Sequence, residues 1–335
     1  WVIDEPHVRG MRAVMDAWKI IDAGFTTIRD VGGMLAIYLK TAVNEGSIVG
    51  PRILASGLVV TQTAGHADWH FVPREWADRM LLGRVADGVA EVRKAAREQL
   101  REGADLLKIM TTGGVMSEKD SPSAVQYSME EVRAFSEEAR NAEVKTTTHC
   151  HGAQGIKNAI LGGIDCIEHG TLMDDECVEL MVKHGTHLVP TFAIVDAIVT
   201  NGRKMGVMEG SVRKAEAVTK HHMNSFLSAY KAGVTCGLGT DYLSDPMSPH
   251  GENAVELDIY VNKAGLTPME TIVCATKNNA IILNLEKDLG TLEAGKLADV
   301  LVVNGNPLDD ITLLRDKTRI TEIYKEGTPV PRLPK

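Results

Sequence analysis

Short apolar, β-branched runs alternate with longer stretches of helical periodicity along most of this chain. The runs at 26–32 (TTIRDVG), 52–57 (RILASG), 106–111 (LLKIMT), 145–150 (KTTTHC), 166–170 (CIEHG), 186–192 (THLVPTF) and 235–241 (TCGLGTD) predict strands. Several follow a helical pattern that stops at glycine, in IIDAGF, QLREGAD, AILGGID and AYKAGVT. A left-handed glycine is the usual stop for a helix. Repeated helix–strand units of this kind imply a parallel sheet in an α/β fold.

Polar residues crowd the C-terminal ends of these runs: Arg29 and Asp30, Lys108, His149 and His151, His169, Asp241. In a (β/α)8 TIM barrel that end carries the active site. The rival doubly wound sheet wants a glycine-rich phosphate loop after its first strand, and DVGG (30–33) is too weak for one. Seven strands are visible where a closed barrel needs eight. The chain opens in a helical pattern, EPHVRGMRAVMDAWKIIDAG, so the expectation is a barrel whose first strand lies upstream of Trp1. Residues 1–286 read as the barrel. Residues 287–335, with glycine turns between β-rich runs, read as part of a small β-sandwich appendage. Long insertions at 58–80 and 242–255 fall on the proposed active face, where loops bind substrate.

Composition narrows the function. A net charge of −9 with no long basic run argues against nucleic acid as the main partner, and 4% aromatics argue against a stacking platform. No run reaches the ~18 apolar residues of a membrane span. Five scattered cysteines without CxxC spacing argue for a reducing, cytoplasmic setting.

Lys108 is the odd residue. It sits in an apolar run, where a buried ammonium must be paired, neutralised or used. Strand ends of a barrel converge, so Lys108, His149, His169 and Asp241 can meet. Two imidazoles and a carboxylate suit zinc or a similar divalent ion. A lysine that has reacted with CO2 becomes a carbamate whose two oxygens can bridge two metals. Burial favours that reaction by lowering the amine pKa.

In order, GFTTIRDVGG (24–33), GPRILASG (50–57), LLKIMTTGGVMS (106–117), QYSMEEVRA (126–134), THCHGAQGI (148–156), IEHGT (167–171), GLGTD (237–241) and LGTLEAGKLADVLVVNGNPL (289–308) resemble the metal-dependent amidohydrolase superfamily. The resemblance is to its branch of imidazolonepropionase-like proteins, Xaa-Pro dipeptidases, arginine and lysine carboxypeptidases and ochratoxin-degrading amidases. It implies a site of two Zn²⁺ ions held by carboxylated Lys108, His149, His169 and Asp241, with Asp241 also moving the proton. The family's His-x-His pair on the first strand is absent from this sequence, which agrees with a strand upstream of Trp1. The resemblance further implies substrate contacts from His151, which shares a strand face with His149 by period-two alternation and could hold the oxyanion. Tyr127 and His66 are the other substrate candidates, although Tyr127 could equally lead a helix capped by Ser128 and Glu131. His70 and His250 are loop candidates, and Arg29 and Asp30 read as a structural pair.

The expected activity is hydrolysis of amide bonds in dipeptides or N-acyl amino acids. Two alternatives stand beside it: cyclic-amide hydrolysis of the imidazolonepropionase kind, and a non-catalytic barrel with a binding role. The expected partners are small-molecule or dipeptide substrates, with no nucleic acid or membrane. A homo-oligomer, often an octamer in the family, is implied by resemblance.

Overall fold

The computed structural model describes residues 5–69, 72–77, 82–117 and 119–334. Its strands are β1 (Thr27–Asp30), β2 (Arg52–Ala55), β3 (Val59–Thr61), β4 (Gly83–Val85), β5 (Leu106–Met110), β6 (Lys145–Gly152), β7 (Cys166–Leu172), β8 (His187–Val189), β9 (Val300–Val303), β10 (Ile320–Lys325) and β11 (Thr328–Pro329). The central sheet runs β4-β3-β5-β6-β7-β8, with every pair parallel. Helices connect these strands, which fits the α/β reading.

Local signals explain the helices. Gly24, Gly103, Gly163 and Gly233, the four expected stops, all have positive φ. Helix 129–141 starts with a reciprocal cap between Ser128 and Glu131, as its sequence predicts. Helix 88–101 buries Val92, Ala95, Ala96 and Gln99, one stripe at helical spacing. Its Arg97 meets Glu138 of the neighbouring helix at 2.8 Å. Between helices and sheet lies one large core, with Ile109, Val132, Phe135, Ile156, Ile167 and Met181 among its members.

β1 and β2 form a separate parallel pair. Asp105 N–H joins the pair to β5 by donating to Ala55 O at 2.8 Å. The sheet is curled, as one ion pair demonstrates. Arg29 of β1 donates to Glu168 of β7 at 2.6 Å, although β2, β5 and β6 lie between them in the hydrogen-bonded order. Along a flat sheet those strands would be roughly 19 Å apart, at ~4.8 Å per strand. Two side chains do not span that, so β1 folds back across the inner face. Arg29 therefore pairs with Glu168, not with Asp30 as its sequence neighbourhood suggests. Asp30 instead accepts from Gly32 N–H at 3.0 Å.

Two further expectations need correction. The 58–80 insertion holds β3, which continues the line of β2 after a turn at Gly57, and β4 is added beyond it. The 235–241 run is not a strand: a single bridge joins Cys236 to Leu188. Its other edge is held by side chains. Asn279 accepts from Leu238 N–H and donates to Leu238 O, both at 2.9 Å, while Asn278 donates to Cys236 O at 2.9 Å. Gly237 makes room for this, since a Cβ there would lie 2.3 Å from Asn279 Oδ1. Carboxamides thus do what a neighbouring backbone would do.

The C-terminal β-rich region is a three-stranded antiparallel sheet, β11-β10-β9. All five cysteines are buried free thiols. Among the described residues no helix is long and apolar enough to cross a membrane.

Candidate functional site

Lys108 sits in the middle of β5, whose five residues are all buried. It is 3% exposed, and its amine has no hydrogen bond or ion pair among the described residues. Burial lowers its pKa from 10.5 to about 8, against the opposing pull of Glu168 and Asp241. The parallel register sets Lys108 beside Thr147 and His149 beside Glu168.

Three imidazoles close over this strand end. Ring centroids lie 4.6 Å apart for His149 and His151, 4.7 Å for His149 and His169, and 5.0 Å for His151 and His169. His149 and His151 share a face of β6 by alternation. His169 joins them by breaking alternation. Glu168 turns inward to Thr147 and Arg29, and so does the next residue, because His169 has φ +70°. A left-handed backbone is unusual for a non-glycine residue and tends to occur at working sites. Burial, and after it the neighbouring cationic groups, holds all three pKa values well below the ordinary value, so the rings are neutral.

Hydrogen bonds assign two tautomers. Carbonyl oxygens only accept, so His149 Nε2–H donates to Gly113 O at 3.2 Å and its Nδ1 carries the lone pair. Thr191 spends its only hydroxyl proton on Pro190 O, 2.6 Å away. With its proton there, it accepts from His169 Nδ1–H at 2.6 Å, the tautomer that leaves the lone pair on His169 Nε2. His151 Nδ1 meets Thr171 Oγ1 at 2.9 Å. Neutral rings with one nitrogen tied and the other carrying a lone pair are the form that ligates metals.

Asp241 ends the segment held by Asn278 and Asn279 and also has positive φ, +55°. Asp241 is an exposed residue whose carboxyl is nonetheless crowded by protein. Desolvation raises its pKa, Glu168 and Asp30 add to the rise, and Lys108 opposes it. Asp30 is raised to about 6 by burial.

His66 is brought to the cluster by the 58–80 insertion. Its ring stacks on His149 at 4.2 Å, and its Nδ1 lies 2.7 Å from Ser117 Oγ. It packs so closely on Gly114 that a Cβ there would meet the ring at 2.0 Å. Asp120, 3.7 Å from His66, is held by Ser117 and Lys214.

Tyr127 is not brought in. Its ring belongs to the main core and its hydroxyl donates to Ala86 O at 2.8 Å. That bond uses the donor a substrate carboxylate would need, so Tyr127 leaves the set of substrate contacts. His70 lies outside the described residues, and His250 lies outside the imidazole cluster. Glu168, Thr171 and Thr191 were missed by sequence reading. The signal for Glu168 was present, a lone acid inside an apolar strand run. The threonines carry no such mark.

Among the described residues no three His, Cys, Asp or Glu side chains already surround a common point for a metal. The donor set nevertheless fits one: a lysine amine of lowered pKa beside neutral, oriented imidazoles.

Residues 15–330 match the family model described as the amidohydrolase family, and the chain belongs to that family. Ochratoxinase from Aspergillus niger is 36% identical over 339 residues, covering 96% of this chain and 68% of that protein. Among solved structures, a prolidase in complex with N-methylphosphonate-L-proline superposes with a TM-score of 0.93 at 34% identity, covering 99% of this chain and 82% of that one. A Xaa-Pro dipeptidase with methionine bound in its active site gives 0.86 at 35% identity, covering 98% and 80%. The protein is a hydrolase acting on amide bonds.

Proposed function

We propose that the chain is a metal-dependent hydrolase that cleaves the amide bond of dipeptides or N-acyl amino acids. The observation that carries this reading is Lys108, 3% exposed and with its amine pKa lowered by burial, set beside oriented neutral imidazoles. Lys108 as its carbamate, His149 through Nδ1, His169 through Nε2 and Asp241 would hold two divalent ions, and the nitrogen-and-oxygen donor set suits Zn²⁺. Bound there, the ions would supply an electrophile for the scissile carbonyl and a water acidified to near neutrality. Asp241, its pKa raised, accepts the proton of the attacking water and passes it to the leaving nitrogen. His151, fixed by Thr171, donates to the developing oxyanion. His66, fixed by Ser117, lies across the mouth and contacts the substrate.

Solved relatives carry N-methylphosphonate-L-proline or methionine, which supports a substrate that ends in an amino acid. Cyclic-amide hydrolysis needs no carboxylated lysine, so Lys108 weighs against it. Family membership weighs against the non-catalytic reading. For the fold, we propose a (β/α)8 barrel over 1–286 and a composite β-sandwich to which 287–335 contribute β9–β11. The curl that lets Arg29 reach Glu168 supports the barrel. A strand closing it between 235–241 and β1 would pair beyond Leu238 in this arrangement, since Asn278 and Asn279 hold Cys236 and Leu238.

The test is elemental analysis of the purified natural-length protein, followed by a panel of Xaa-Pro dipeptides, other dipeptides and N-acyl amino acids. About two divalent ions per chain with turnover on this panel is the expected result. One ion with turnover only on cyclic amides would replace the proposal with its rival.

A further inference from the structure

Glu256, on helix Val255–Asn262, is 0% exposed. No Lys or Arg among the described residues offsets its charge, and burial raises its pKa to about 8. Its two oxygens accept from consecutive backbone groups, Phe192 N–H at 2.8 Å and Ala193 N–H at 2.7 Å. These are the first two residues of helix Phe192–Asn201. The residue that would ordinarily cap this helix is Thr191, a good capping type. Thr191 makes no side-chain cap and has φ +55°. Its hydroxyl points the other way, donating to Pro190 O and accepting from His169 Nδ1. His222 Nε2–H donates to the same Pro190 oxygen at 2.8 Å and steadies the turn.

We propose that Glu256 is a positioning residue for His169: by capping helix 192–201 in place of Thr191, it frees the Thr191 hydroxyl to hold His169 Nδ1 and so aims Nε2 into the cluster. The inference rests on the reading of His169 as a metal ligand. Its chain of action is Glu256 carboxyl oxygens, helix N–H groups, left-handed Thr191, imidazole. Glu256 touches no reacting atom itself.

The experiment compares metal-free crystal structures of wild type, Glu256→Gln and Thr191→Val. It pairs them with zinc affinity measured by competition against a chromogenic chelator, for both single variants and the double variant. Glutamine keeps one acceptor but turns an NH2 toward the second N–H. In Glu256→Gln the Thr191 hydroxyl is expected to swing toward its own helix, and the His169 Nδ1–Thr191 contact to open. Zinc affinity should fall roughly 10–100-fold, the usual effect of losing a partner that orients a ligand. Thr191→Val should fall by a similar factor, and the double variant by little more than either, because both changes cut one chain. A His169 ring unmoved in Glu256→Gln, or factors that multiply in the double variant, would overturn the proposal. If Glu256→Gln does not fold, Glu256→Asp, a shorter carboxylate, is read by the same contact. A wild-type protein that takes up no zinc would sink the metal reading, while the ring geometry in the metal-free structures still decides the role of Glu256.

Discussion

The site has two halves built by different means. Lys108, His149, His151 and His169 stand on neighbouring parallel strands, with one register shift between Cys150 and Gly152, each ring tied by a threonine hydroxyl or a carbonyl. Asp241 stands on a segment with one bridge, held by two asparagines and by Tyr260, whose hydroxyl donates to Gly237 O at 2.6 Å. A ladder fixes side chains at strand spacing and little else needs specifying. The Asp241 half depends on a few side-chain bonds, each of which one substitution removes. The ladder half is therefore the rigid reference, and the Asp241 half the part most easily displaced.

The largest effect is expected where the ladder half does its chemistry. Lys108→Ala should lower kcat/KM on dipeptides by about 10³-fold or more, the several kcal/mol that metal assistance supplies. Circular dichroism and melting should show a folded protein, because the change removes an amine that burial disfavours. Wild-type turnover in this variant would end the mechanism above.

Next is the tie beneath both halves. Arg29→Met leaves the Glu168 carboxylate buried without its cation, a change that costs about 3–5 kcal/mol. Adding Glu168→Leu should recover much of that in a denaturant titration. A double variant no better than the single would mean the ion pair is not what spans the sheet.

Asn279→Ala tests the improvised edge. It frees the N–H and C=O of Leu238, at a cost of about 1–3 kcal/mol. Amide exchange should speed up in 235–241 and stay unchanged in β5–β7. Equal acceleration in both would erase the distinction between the halves.

The last test is a pH slope. The folded pKa of Glu256 is raised from 4.5 to about 8, so between those values the native state holds a proton that the unfolded chain has lost. Its contribution to stability is full below about 4.5 and declines as pH rises to about 8. Glu256→Gln should flatten that part of the stability curve. An unchanged slope would assign the titration to other groups.

Much of this was legible. β5, β6 and β7 follow from β-branched runs bounded by glycine stops, and their polar residues name Lys108, His149, His151 and His169 directly. His66 needed the family resemblance, because nothing in a loop sequence says which way it folds. Three features were hidden for physical reasons. TCGLGTD has strand composition, but Gly237 is there to admit Asn279, a contact made 42 positions away. Tyr127 has the polarity of a substrate contact, but its hydroxyl is used by Ala86 O. Thr191 reads as a helix cap, and only the three-dimensional position of Glu256 shows that the cap has been delegated.

The five buried thiols carry one more consequence. Desolvation raises the pKa of Cys150, Cys166, Cys177 and Cys274 to about 12, and that of Cys236 upward as well. Almost no thiolate is present at neutral pH, so alkylating reagents meet inert sulfur until the backbone around it opens. Cys150 and Cys166 lie in the ladder, and Cys236 lies in the segment before Asp241. The chain thus carries its own clocks for opening, one set in each half, and the order in which they alkylate dates which half comes apart first.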